Sequence, residues 1–92
     1  MSERPIARIT HPSEIIQDEL DARGWSLDRL SIEMGDDAGI NRLALDLYME
    51  VGRTDRNLRI GEFSSKQLGK AFGVSPEFFL NLEKQWLEAH AQ

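Results

Sequence analysis

The chain has 92 residues, 40% of them apolar and 29% charged, which allows one ordinary globular core and lies away from the composition of disordered segments. It has no cysteine, and its two histidines, His11 and His90, stand far apart, which excludes a disulfide framework, a thiolate metal site and a zinc finger. The net charge of −5 is unevenly spread: residues 1–50 carry 5 basic and 11 acidic side chains, whereas residues 51–73 carry 5 basic and 2 acidic. An acidic total weighs against nucleic-acid binding, and the basic segment reads either as a phosphate-facing patch or as a solvated loop and helix face.

Residues 1–10 read as a flexible N-terminal stretch. They contain no apolar run long enough for a signal segment, and nowhere does the chain approach the roughly 20 apolar residues of a membrane span, so a cytoplasmic location is expected. His11-Pro12-Ser13-Glu14 then places proline at a first helical position and a carboxylate in the first turn, both favourable to a helix start. The first helix is expected to run to about Arg23, with Ile16 and Leu20 on one face and Gly24 as a left-handed cap. His11 reads as a capping or surface residue and not as a ligand.

Ser26 is placed to cap a second helix, whose inner face is Leu27, Leu30, Ser31 and Met34, ended by Gly35. Asp36-Asp37-Ala38-Gly39 reads as a turn. Ile40, Leu43, Ala44, Leu47 and Val51 follow as a stripe with helical period, taken as the packing face of a third helix closed by Gly52. Leu45, Tyr48 and Met49 lie off that stripe, so the apolar arc exceeds one packing surface and predicts a second contact, to another helix or subunit.

The segment from Arg53 to Arg59 lacks periodicity and reads as a polar loop. Leu68, Ala71 and Phe72 mark a short fourth helix ending at Gly73. Ser75-Pro76-Glu77 predicts a capped, proline-started last helix. On it Phe79, Leu82 and Trp86 form one face and Leu80 with Leu87 another, which suits a two-fold dimer interface through Leu80, Trp86 and Leu87. Nothing alternates with the period of a strand. One all-α domain over residues 1–92 is therefore expected.

Catalytic signatures are lacking: there is no phosphate-cradling glycine loop, nucleophile elbow or paired-histidine motif, and the spacing of Ser64-Ser65-Lys66 alone sets no nucleophile–base geometry. No enzyme activity, cofactor or metal is expected. The order of elements is more informative. Two short helices joined by a turn allow the second to enter a DNA major groove while the first lies across the backbone.

Two segments resemble a known family. His11-Pro12-Ser13-Glu14-Ile15-Ile16, with Glu19-Leu20 and Arg23-Gly24-Trp25-Ser26-Leu27, and Leu68-Gly69-Lys70-Ala71-Phe72-Gly73-Val74-Ser75-Pro76-Glu77-Phe78-Phe79-Leu80-Asn81-Leu82 are similar to the opening and closing motifs of HigA-type antitoxins. These form a branch of the Xre and lambda-repressor-like helix-turn-helix proteins. The similarity spans roughly residues 11–35 and 60–87. In the middle the chain departs from the family, with about ten extra residues around Asp36 to Gly39 and Arg53 to Arg59.

What the resemblance implies is a five-helix lambda-repressor-like helix-turn-helix domain with an enlarged region around helix 3. It would act as a homodimeric, sequence-specific DNA-binding regulator of a toxin–antitoxin operon or phage-like locus, with double-stranded DNA and a toxin protein as partners. If Gly39-Ile40-Asn41-Arg42 replaces the family's turn, Leu45, Tyr48 and Met49 fall at its buried recognition-helix positions, and Asn41 and Arg42 face the groove. Ser26 and Arg29 join them as candidate DNA contacts, and Arg53, Arg56, Arg59 and Lys66 as candidate phosphate contacts. Asp46 and Glu50, further along the same helix, are repelled by phosphates unless they accept from a cytosine amine. With Asp36 and Asp37 they favour a rival reading, a protein-interaction module on the same scaffold without DNA affinity.

Overall fold

The computed structural model describes residues 10–90, so the expected flexible stretch, residues 1–10, lies outside the described residues except for Thr10. Five helices follow in order: α1 Pro12–Arg23, α2 Leu27–Met34, α3 Ala38–Val51, α4 Glu62–Phe72 and α5 Phe78–Ala89. The fold is all-α, with no strand among the described residues. No helix among them is long and apolar enough to cross a membrane.

The helix ends follow from local chemistry. His11 is the N-cap of α1, its Nδ1 accepting from the Ser13 backbone N–H at 3.1 Å, and Pro12 occupies the first turn, where its missing N–H costs nothing. Gly24 closes α1 at φ 69°, a left-handed conformation that glycine adopts without steric penalty. Ser26 Oγ accepts from the Arg29 N–H at 3.1 Å and starts α2, and Asp37 caps α3 in the same way through Ile40 N–H at 3.1 Å.

The fourth and fifth helices start differently from expectation. The fourth is longer than its apolar marks suggested, starting at Glu62. Ser75 does not cap the fifth: Ser75 to Glu77 forms a turn closed by Phe78 N–H on Ser75 O at 3.2 Å, and α5 begins only at Phe78. Gly69 explains how tightly that turn lies on α4, because a Cβ there would stand 2.8 Å from the Val74 carbonyl oxygen. The buried Ser65 hydroxyl donates to the Pro76 carbonyl and ties the same two segments.

One core joins all five helices: Ile16 and Leu20 of α1, Leu30 and Met34 of α2, Leu45 and Tyr48 of α3, Leu68 and Phe72 of α4, and Phe79 of α5, with Ile60 from the connecting loop. α2 packs on α3 and α4, α4 on α5, and α5 on α1. The expected packing faces of α1 and α2 are those observed. The inward face of α3 is not the one its hydrophobic stripe marked, but it includes Leu45 and Tyr48, which the resemblance placed at buried positions. Asn41, Leu45 and Tyr48 point inward, whereas Ile40, Leu43, Ala44 and Leu47, expected to form the packing stripe, are exposed and Val51 is half-buried. Helical spacing alone did not separate the two faces because α3 is apolar on both.

Candidate functional site

Polar anchors fix the orientation of α3. The Asn41 side-chain amide donates to the carbonyls of Ser31 at 3.0 Å and Gly35 at 2.6 Å, satisfying acceptors at the end of α2 that the helix itself leaves unpaired. Seven residues on, the Tyr48 hydroxyl donates to the buried Glu83 carboxylate of α5 at 2.7 Å, and the His11 ring stacks on Tyr48 with centroids 5.2 Å apart. Burial, reinforced by the hydrogen bond to Glu83, pushes the Tyr48 hydroxyl pKa well up. Leu45 lies between these anchors and is buried.

With that face inward, α3 turns Ile40, Leu43 and Leu47 to solvent at 64%, 71% and 50% exposure. α2, α4 and α5 each expose one large apolar side chain, Ile32, Phe63 and Phe78, so α3 carries the main concentration of apolar surface on any helix. Glu50 shares its outward side, and Arg42 and Asp46 form one flank. Next to the face an apolar cavity of about 180 Å³ opens between Ala44, Leu47 and Tyr48 on one side and Leu58, Ile60 and Ser64 on the other.

The expected groove-facing pair is not where a base reader would be. Asn41 is buried, and its amide is committed to the α2 carbonyls, which corrects its assignment to base contact. Arg42 is on the surface but held by two carboxylates: Nε donates to Asp46 at 2.8 Å and Nη1 to Asp28. The Asp46 hydrogen bond and then the Asp28 hydrogen bond raise its pKa and stabilise its charged form where it lies.

The other sequence-selected basic residues divide into two groups. Arg29 pairs with Glu33 at 2.8 Å and lies over the Trp25 ring at 5.0 Å, and Arg53 pairs with Glu14 at 3.1 Å, joining the loop after α3 to α1. Arg56 and Arg59 are exposed together in the loop, where Arg59 Nε donates to the Arg56 carbonyl at 2.9 Å, and Lys66 is exposed on α4. These three cations have no carboxylate partner among the described residues. Ser26 is occupied as the α2 cap.

On α5 the proposed dimer residues are less available than their spacing suggested. Leu80 packs against the core, Trp86 meets the His11 ring edge-on at 5.1 Å and stacks on His90 at 3.8 Å, and Leu87 is half-buried. The centre of that wide apolar arc is Glu83, which sequence reading passed over. Its carboxylate accepts from Tyr48 and from the Ile60 backbone N–H, at 2.9 and 3.1 Å, so one charge joins α3, α5 and the segment leading to α4. Its position four residues after Phe79 and three before Trp86 is the signal that could have found it.

His11 is buried, which overturns a surface reading while keeping the cap. Desolvation first, then the nearby Arg53 charge, lower its pKa below the ordinary imidazole value. Compared with protein-family models, with curated proteins and with solved structures, the chain finds no match in any of the three.

Proposed function

We propose that the chain is a non-enzymatic regulatory domain of the helix-turn-helix type, as its resemblance to HigA-type antitoxins implies, in which α3 is a protein-contact surface and not a reader of base edges. The observation that carries this reading is the outward face of α3. A recognition helix needs donors and acceptors aimed at base edges. The solvent side of α3 instead has Ile40, Leu43 and Leu47 with acidic Asp46 and Glu50, and its one arginine is held by Asp28 and Asp46. Carboxylates at that depth are repelled by phosphate, and exposed leucines lose nothing by meeting another protein.

Enrichment of random-sequence duplexes on the wild-type chain tests it. No sequence should be enriched, and Arg42→Ala should retain duplex as the wild type does. A selected site that wild type binds and Arg42→Ala loses would restore α3 as a base reader.

A second reading is favoured by the exposed cations Arg56, Arg59 and Lys66: sequence-independent phosphate contact from the loop and α4. Each phosphate contact contributes a slope of about −0.9 to log affinity against log salt. Arg56→Glu with Arg59→Glu should flatten the slope by about two such contacts. An unchanged slope in the double variant removes this reading.

A further inference from the structure

We infer that the cavity between α3 and the segment leading into α4 binds a small amphipathic monoanion, a carboxylate whose apolar tail lies inside and whose charged end meets Arg59. This site goes beyond the reading of α3 as a protein-contact surface and does not depend on what meets the outward face of that helix.

The tail follows from size and lining. Ile16, Leu45 and Leu68, all buried in the core, form the wall together with Leu58 and Ile60. Side chains that border such a space forgo dispersion contacts on that side, and an apolar ligand restores them. At about 180 Å³ the cavity exceeds the roughly 150 Å³ at which an apolar cavity takes up benzene, so a tail of about six carbons fits. Ala44, Leu47 and Arg59 also line it and are exposed, so it opens to solvent beside them.

The charge follows from the donors that the lining leaves free. Asn41 and Tyr48 belong to the wall, but the amide donates to the Ser31 and Gly35 carbonyls and the hydroxyl donates to Glu83. What is left is the Arg59 guanidinium, of which Nε alone is engaged, and the half-buried Ser64 hydroxyl, which makes no hydrogen bond among the described residues. None of the lining residues is acidic, although the chain carries a net charge of −5. A ligand amine at this mouth meets a like charge, and a neutral ligand leaves the guanidinium to water. A carboxylate accepts from Arg59 by a charge-assisted hydrogen bond, and its place at the exposed mouth spares it the cost of burial. One arginine compensates one negative charge, which sets the ligand as a monoanion.

Methyl-labelled spectra of the full chain, titrated at pH 7 and constant ionic strength with hexanoate, hexan-1-ol and hexylammonium, test tail and charge separately. Hexanoate should shift the Ile16, Leu45 and Leu68 methyls saturably and bind about threefold tighter than hexan-1-ol, the scale of an exposed ion pair. Hexylammonium should bind more weakly than the alcohol. Arg59→Gln, a change at an exposed residue, should keep the wild-type circular dichroism and the affinity for hexan-1-ol, and bring hexanoate to the value of the alcohol. Ser64→Leu, which adds apolar bulk to the wall, should weaken hexanoate and hexan-1-ol together, by at least about tenfold.

Wall methyls that shift with none of the three compounds overturn the site. Hexan-1-ol bound as tightly as hexanoate, or an Arg59→Gln chain that still prefers hexanoate, overturns the ligand class. Wild-type affinity for hexanoate in Ser64→Leu places the ligand outside the cavity and overturns the site as well. Nuclear Overhauser contacts between hexanoate and the wall methyls of wild type decide the location even where Ser64→Leu loses its helical spectrum: they should be present, and their absence overturns the site.

Discussion

Three buried polar side chains decide how this small domain is assembled. Asn41 serves the end of α2, Glu83 gathers Tyr48 and Ile60, and His11 caps α1 beneath Tyr48 and Trp86. Buried donors and acceptors left without partners are expensive, so Asn41→Ala should lower unfolding free energy by about 1 to 3 kcal/mol in denaturant titration. A loss below 0.5 kcal/mol, on the order of an ordinary surface change, would mean that Asn41 is not committed to the α2 carbonyls.

His11 makes a pH prediction whose sign follows from its lowered folded pKa. The folded state holds the ring neutral, so above the unfolded value of about 6.5 protonation favours neither state; as pH falls below that value the unfolded chain takes up the proton first and stability drops. Protonation at Nδ1 would also remove the lone pair that accepts from Ser13. Melting temperature should fall between pH 7.5 and 5.5 more in wild type than in His11→Asn, which keeps a capping oxygen. Equal falls would show that His11 is not the group responsible.

At the scale of elements, the testable contrast is the rotation of α3. Leu45→Ala should cost about 2 to 5 kcal/mol, as core truncations do, whereas Leu43→Ala, studied at a concentration where the chain is single, should stay within about 0.5 kcal/mol. Reversed costs in chemical denaturation would return the helix to the orientation its hydrophobic stripe suggested. That stripe shows where the sequence was legible and where it was not. Pro12, Gly24, Ser26, Gly35, Gly52 and Gly73 mark helix ends through backbone chemistry that acts locally, so those boundaries are readable from the chain alone.

Which face of α3 turns inward is decided by groups distant in sequence: the carbonyls of Ser31 and Gly35 that Asn41 must reach, and the Glu83 carboxylate that Tyr48 must reach. Hydrophobic periodicity contains neither partner. The same is true of α5, where a carboxylate at the centre of an apolar arc looks like a surface charge until its two donors are seen. The exposed residues Arg56, Arg59 and Lys66 were readable as surface cations, but the carboxylates that hold Arg29, Arg42 and Arg53 required the fold.

For the molecule as a whole, net acidity and a locally basic segment fit a chain that contacts protein through one element and phosphate, if at all, through another. Of its acidic side chains, Asp46 and Glu50 lie on α3 and Asp28 on α2, whereas Arg56 and Arg59 belong to the loop and Lys66 to α4. Methyl-labelled spectra of the full chain, recorded without and with a pool of random-sequence duplexes, separate the two roles in one measurement. The Ile40, Leu43 and Leu47 methyls should not move when duplex is added. Methyls on α3 that shift with duplex would contradict the assignment of this face to protein contact.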